Sequence, residues 1–197
     1  MYLIHQPSES ENPDAMEEDK KMIEQILAGQ TGLFRLLIGK YQAPVYRVAL
    51  KISGNDEDAR EITQQVFVTV YESLNQYNPD FKFFSWMYRI AINRALLSVR
   101  QKKQFMSIDR YRPGAGDDED HPKAKELRDE LLNQSIGKLK EKYRTVIVLK
   151  YYAGMPYADI AETLEITEKK VRSRLFDARK QLKDELYRID FFNQWND

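Results

Sequence analysis

The stretch PYADIAETLEITEKKVRSRLFDARKQL, residues 156–182, decides how the rest of the chain reads. Its Ile160, Ala161 and Leu164 fall at helical spacing, Ile166 stands alone between polar neighbours, and Val171, Leu175 and Ala178 resume the helical period. Two short helices joined by a tight turn follow from that pattern. Ala161 is small where two helices must cross closely, Ile166 plugs the turn into the core, and Thr167 is a good N-cap with Glu168 behind it at the positive end of the helix dipole. These features favour a helix-turn-helix over a generic helical hairpin.

The second helix carries Lys169, Lys170, Arg172, Arg174, Arg179, Lys180 and Lys183 against Glu168 and Asp177, in a chain whose formal net charge is zero. A basic amphipathic helix is often no more than a solvated face. Behind a turn that places it, and with its charge segregated, this one suits the major groove of DNA.

The composition bounds the rest. At 197 residues the chain can hold one or two domains, and eight Gly with seven Pro leave little room for a turn-rich β fold. Cysteine is absent, which removes disulfides and thiolate metal sites and makes a reducing cytoplasm an adequate home. His5 and His121 are isolated, so no metal or cofactor is expected. No apolar run approaches a membrane span, and MYLIHQPSESENPDAMEEDKK at the start is acidic where a signal peptide would be basic and then apolar. A cytoplasmic protein with no direct membrane insertion is expected.

The neutral total is a sum of blocks of opposite sign. Residues 81–103 contain six basic residues and no acid, the second helix of the helix-turn-helix is basic, and 56–61 and 117–120 are acidic. Different surfaces therefore meet different partners.

From the N-terminus, residues 1–15 lack periodicity and read as a mobile arm. Helical spacing then runs through Met22, Ile23, Ile26 and Leu27, and next from Leu33 to Ile52 with a kink expected at Pro44. A third helix begins near Asp56 with Ala59, Ile62, Val66, Phe67, Val70 and Leu74 inward, and exposes Asp58, Glu61, Gln64 and Gln65 on its other side. YNPDFKFFSWMYRIAINRALLSVRQKK follows, in which aromatic rings interleave with cations. Unstacked bases can lie on such rings while the cations neutralise phosphate. A dense aromatic run is more often core, so Phe84, Ile90, Ala91 and Trp86 are assigned inward. The loop from Asn78 through Phe81, Lys82 and Phe83, and the polar face of Arg89, Asn93 and Arg100, remain as binding candidates. Residues 104–122 carry Gly, Pro and an acidic cluster with no apolar period, and read as a flexible acidic linker between helical domains at 16–103 and 123–197. The tail rings Phe191, Phe192 and Trp195 are expected to fold back onto the second domain. The fold class is all-α.

This order of pieces resembles the extracytoplasmic-function (ECF) group of bacterial RNA polymerase sigma factors. The resemblance rests on DEDAREITQQVFVTVYESL followed by FSWMYRIAINRALLSVR, and then on YRTVIVLKYYAGMPYADIAETLEITEKKVRSRLFDARKQL. It implies that Asp58, Glu61, Gln64, Gln65 and Phe67 dock on the coiled coil of the polymerase β′ subunit. It implies that Asn78, Phe81, Lys82, Phe83, Arg89, Asn93 and Arg100 open the minus-ten promoter element and hold an extruded base. Major-groove reading of the minus-thirty-five element would fall to Lys169, Lys170, Arg172, Ser173, Arg174, Phe176 and Arg179. The partners the resemblance implies are core RNA polymerase through its β′ and β subunits, promoter DNA, and an anti-sigma factor of a kind that is often membrane-anchored. The chain departs from the usual family pattern at Gln65 (for Glu), Leu97 (for Asp), Glu165 (for Gly in the turn) and Asp177 (for a basic residue).

A stand-alone helix-turn-helix regulator would use residues 156–183 but leave 81–103 idle. An enzyme is disfavoured, because the sequence holds no P-loop, nucleophile elbow or metal-ligand cluster.

Overall fold

The computed structural model describes residues 13–108 and 124–189, in eight α-helices with no strand among them. The first four are α1 (Pro13–Leu27), α2 (Phe34–Ser53), α3 (Asp56–Ser73) and α4 (Phe83–Ile108). The last four are α5 (Ala124–Lys138), α6 (Glu141–Tyr151), α7 (Tyr157–Leu164) and α8 (Glu168–Arg188). The expected N-terminal arm and interdomain linker lie largely outside the described residues, as do Phe191, Phe192 and Trp195.

Local chemistry sets the boundaries. Helix α2 continues through Pro44 and stops at Gly54, whose φ of 73° is left-handed and cheap only for glycine. Asn55 then caps α3, its side chain accepting from the Asp58 N–H at 2.9 Å, with Asp56, Glu57 and Asp58 at the favourable end of the dipole. Val45, Val48 and Ala49 of α2, Val66 and Val70 of α3, and Met87, Ala91 and Ala95 of α4 are buried together. All six residues read as inward on α3 are buried. Helix α1 closes the end of this core through Ile23 and Ile26, and its buried Asp19 accepts from Lys40 Nζ at 2.7 Å and from the Tyr41 hydroxyl.

In the second half, Val171, Leu175 and Ala178 of α8 pack with Ile160 and Ala161 of α7 and with Val146, Val148 and Leu149 of α6. Thr167 caps α8 as its position predicts, accepting from the Lys170 N–H at 3.3 Å. The turn before it holds Glu165 at φ 51°, ψ 45°, the left-handed region where a side chain costs on the order of 1 kcal/mol relative to glycine. Glu165 is the one non-glycine residue at positive φ among the described residues.

The two halves touch. Arg144 of α6, 4% exposed, donates to the Ile52 carbonyl at the end of α2 at 3.0 Å, to the Leu139 carbonyl at 3.2 Å, and to the Gly137 carbonyl. Burial lowers the pKa of its guanidinium, and the carbonyl-rich ends of α2 and α5 offset that cost by accepting its protons. No described helix is long and apolar enough to cross a membrane.

Candidate polymerase and nucleic-acid interfaces

Three surfaces carry the residues singled out above. The first is a groove of about 1210 Å³ between α2 and α3, walled by Phe34, Ile38, Gln64, Phe67, Val68 and Tyr71. Phe34 stacks edge-on against Tyr71 at 5.0 Å and Phe67 at 6.5 Å, so the aromatic floor is held by core packing. Gln64 is exposed on this wall, whereas Phe67 is buried at 7% and contributes an edge of the floor rather than a projecting anchor. Glu61 and Gln65 occupy the adjoining stripe, where Gln65 Nε2 donates to Glu61 Oε1 at 2.8 Å.

Asp58 does not belong to this face. It is buried, and its carboxylate accepts from Lys102 Nζ of α4 at 2.6 Å, so it ties α3 to α4. The sequence reading missed Val68 and Tyr71, which are 51% and 47% exposed and supply the apolar rim. A signal was available, since both fall outside the inward period of α3 and are apolar nonetheless.

The second surface is the loop before α4 and one stripe of that helix. Asn78 organises the loop, its side-chain oxygen accepting from the Asp80 N–H at 2.9 Å and its carbonyl from the Phe81 N–H at 3.1 Å. Tyr77 supports the loop from beneath, its hydroxyl donating to the Phe81 carbonyl at 2.6 Å. Burial, with the carboxylates of Asp19 and Glu162 nearby, pushes that hydroxyl up to about 12. Phe81 is 52% exposed and Asn93 is exposed. Phe83 is a correction. It begins α4 rather than ending the loop, is 3% exposed, and lies 5.7 Å from the Tyr41 ring, 5.5 Å from Tyr77 and 5.9 Å from Trp86. Its ring is core and offers no face to a base.

The cations of this surface are not open to solvent on all sides. Lys82 Nζ donates to Asp159 of α7 at 2.6 Å, Arg89 reaches the end of α7, and Arg100 Nε donates to Glu141 of α6 at 3.0 Å. Glu141 raises the Arg100 pKa by that hydrogen bond.

The third surface is the outer face of α8. Lys169, Lys170, Arg172, Ser173, Phe176 and Arg179 are exposed and Arg174 is half-buried, while Val171, Leu175 and Ala178 hold the opposite side in the core. Phe176 is 66% exposed, an unusual apolar ring among cations. Arg172 pairs with Glu168 at 3.3 Å and stands 5.9 Å from the Tyr157 ring centre, and Lys150 approaches the same ring at 5.3 Å. Lys150 and Tyr157 thus extend the basic face onto α6 and α7, which the period of α8 could not reveal. A helix held by its apolar side on a second helix, with cations and one ring outward, has the shape for major-groove entry. No cluster of His, Cys, Asp or Glu suited to a metal ion occurs among the described residues.

Both halves of the chain are similar to known proteins. Residues 37–105 match the family model described as "Sigma-70 region 2", and residues 129–182 match "Sigma-70, region 4". The chain is 30% identical over 184 residues to the RNA polymerase sigma-H factor of Pseudomonas aeruginosa, covering 84% of this chain and 92% of that protein. It is 31% identical over 180 residues to the ECF RNA polymerase sigma factor SigW of Bacillus subtilis, covering 85% and 96% respectively. In fold it is similar to CnrH, solved in complex with the cytosolic domain of CnrY, with a TM-score of 0.68, 24% identity, and coverage of 85% of this chain and 96% of that one. The chain belongs to the sigma-70 family, in its ECF group. It is a sigma factor of transcription initiation, and the stand-alone regulator is not favoured.

Proposed function

We propose that the chain docks on the β′ coiled coil of core RNA polymerase through the α2–α3 groove, with Gln64, Val68 and Tyr71 as the contacts that decide affinity. The supporting observation is the groove itself. It combines an apolar floor, two large exposed apolar side chains and flanking Arg35 and Arg60, and exposed apolar area of this kind marks protein contacts. Val68→Glu in the full chain is expected to reduce binding to core polymerase at least about tenfold, the loss of one interface anchor. Titration of labelled protein against core enzyme measures it, and unchanged affinity in a folded variant would remove the groove from the reading.

The minus-ten surface in this proposal consists of Asn78, Phe81, Lys82, Arg89, Asn93 and Arg100, with Phe81 as the stacking ring in place of Phe83. The exposed face of α8 reads the minus-thirty-five element, with Arg172 and Arg174 nearest base edges and Lys169, Lys170, Arg179 and Lys180 on phosphates. An anti-sigma factor is the further partner in this reading; the similar protein CnrH was solved in complex with the cytosolic domain of CnrY.

A further inference from the structure

Arg172 stands on the outer face of α8 with its side chain 66% exposed. A long cation in that position has several rotatable bonds. Freezing them on binding costs free energy, and a side chain free to choose its rotamer can also settle on a non-preferred base. Two contacts restrain it here. Its Nη2 meets Glu168 Oε2 at 3.3 Å, one turn back on the same helix, and its guanidinium carbon stands 5.9 Å from the ring centre of Tyr157 on α7.

The two restraints differ in kind. The Glu168 pair is open to solvent on both sides, where such pairs contribute little, and it engages an N–H that base reading needs. The ring engages none. A cation over an aromatic face is attracted through the ring quadrupole, so the N–H edge of the planar guanidinium stays available for guanine O6 and N7.

Tyr157 can direct another side chain because its own position is fixed. It is the first residue of α7, follows Pro156 with its restrained φ of −67°, and is half-buried against the core of its domain. Met155 just before it is 1% exposed, and its N–H donates to the Leu149 carbonyl at 3.1 Å. Lys150 of α6 donates to the Met155 carbonyl at 3.2 Å and brings its Nζ to 5.3 Å from the same ring centre. The ring is thus held by α6 and α7, and Arg172 takes its direction from helices other than its own.

We propose that Tyr157 is a positioning residue for upstream-element recognition, whose ring sets the direction of the Arg172 guanidinium before DNA arrives and so sharpens base preference without touching a base. The inference rests on the reading of Arg172 as a base-reading residue. What it adds is a determinant of specificity outside α8.

Two measurements test it. In the full-length protein without DNA, the Arg172 side-chain Nε–H resonance, identified by its loss in Arg172→Lys, should be displaced by the ring current of Tyr157. Tyr157→Phe should keep that displacement and Tyr157→Leu should abolish it. A wild-type resonance at the position of a solvated arginine overturns the inference, and this arm needs no variant of Tyr157 to fold. In the second measurement, holoenzyme made with core RNA polymerase selects duplexes from a pool randomised over the upstream element. Tyr157→Leu should lower the preference at the base pair read by Arg172 about two- to fivefold, the scale of one exposed cation–π contact, and leave binding to scrambled duplexes unchanged. Tyr157→Phe should retain the preference, and Tyr157→Leu should add no further loss once Arg172 is Ala. Equal weakening of preferred and scrambled duplexes, or a loss that persists in the Arg172→Ala background, would overturn the inference by giving the ring a phosphate-contacting or merely structural role. If Arg172→Ala itself leaves every preference unchanged, the base-reading assignment of Arg172 falls and the inference with it. A preference lost in Arg172→Ala and intact in Tyr157→Leu overturns the inference alone.

Discussion

Phe83→Ala and Phe81→Ala should part company, although the two rings are neighbours in sequence. The Phe83 ring is 3% exposed and meets Tyr41, Tyr77 and Trp86 at 5.5–5.9 Å between ring centres. Truncating a buried Phe costs about 3–5 kcal/mol. Three aromatic neighbours left facing a void place this site toward the upper part of that range. A domain stable by about 5–15 kcal/mol retains little margin after such a loss. At about 4–8 °C per kcal/mol for a domain of this size, the midpoint should fall by at least about 12 °C. Phe81, 52% exposed, should change stability by no more than about 0.5 kcal/mol when replaced by Ala. Its loss should instead reduce the yield of open complexes formed by holoenzyme, since stacking a base on an aromatic ring is worth about 1–3 kcal/mol. Thermal denaturation followed by circular dichroism reads the first effect, and permanganate reactivity of unpaired thymines reads the second. A Phe83→Ala protein with wild-type stability would refute the burial argument, and a Phe81→Ala holoenzyme that opens promoters normally would refute the stacking role.

Three further outcomes are expected. Arg172→Ala should cost about 1–3 kcal/mol on the specific upstream element and relax preference at one base pair, whereas Lys180→Ala should weaken specific and scrambled DNA alike; competition binding distinguishes them, and an equal loss for Arg172→Ala counts against base reading. Thr167→Ala removes the side-chain acceptor for the Lys170 N–H and should lower the stability of the second domain by about 1 kcal/mol in urea titration. For Tyr77, folding raises the hydroxyl pKa from 10.0 to about 12, so its stabilising share is complete below pH 10 and fades as the pH climbs through about 12. Tyr77→Phe should therefore flatten that part of the alkaline stability profile, and identical profiles would show that the shift has no thermodynamic weight.

The legible parts of the chain were those fixed locally. The α7–turn–α8 unit follows from a 3.6-residue apolar period and an N-capping Thr, and both act within a few residues. The third helix was equally clear, since each of its inward residues repeats at helical spacing. Phe83 was misread because burial of a ring depends on the phase of its helix. Starting α4 at Phe83 instead of after it puts that ring on the inward stripe with Met87 and Ala91. Asp58 looked like part of an exposed acidic face, but its partner Lys102 stands 44 residues away. The engagement of Lys82 and Arg89 spans 73–80 residues in sequence, beyond any local pattern. Glu165 was visible as a departure from the family pattern, and only the left-handed turn with Arg89 opposite gives it a physical role.

Reconstitution with core RNA polymerase, followed by run-off transcription and permanganate footprinting on a cognate promoter, tests the central assignment most directly. A sigma factor built this way should convert non-specific core enzyme into one that starts a discrete transcript, with thymines near the start site becoming reactive only when both proteins are present. Sequence-specific binding of the chain alone, with no discrete transcript and no melting in the presence of core enzyme, would contradict it.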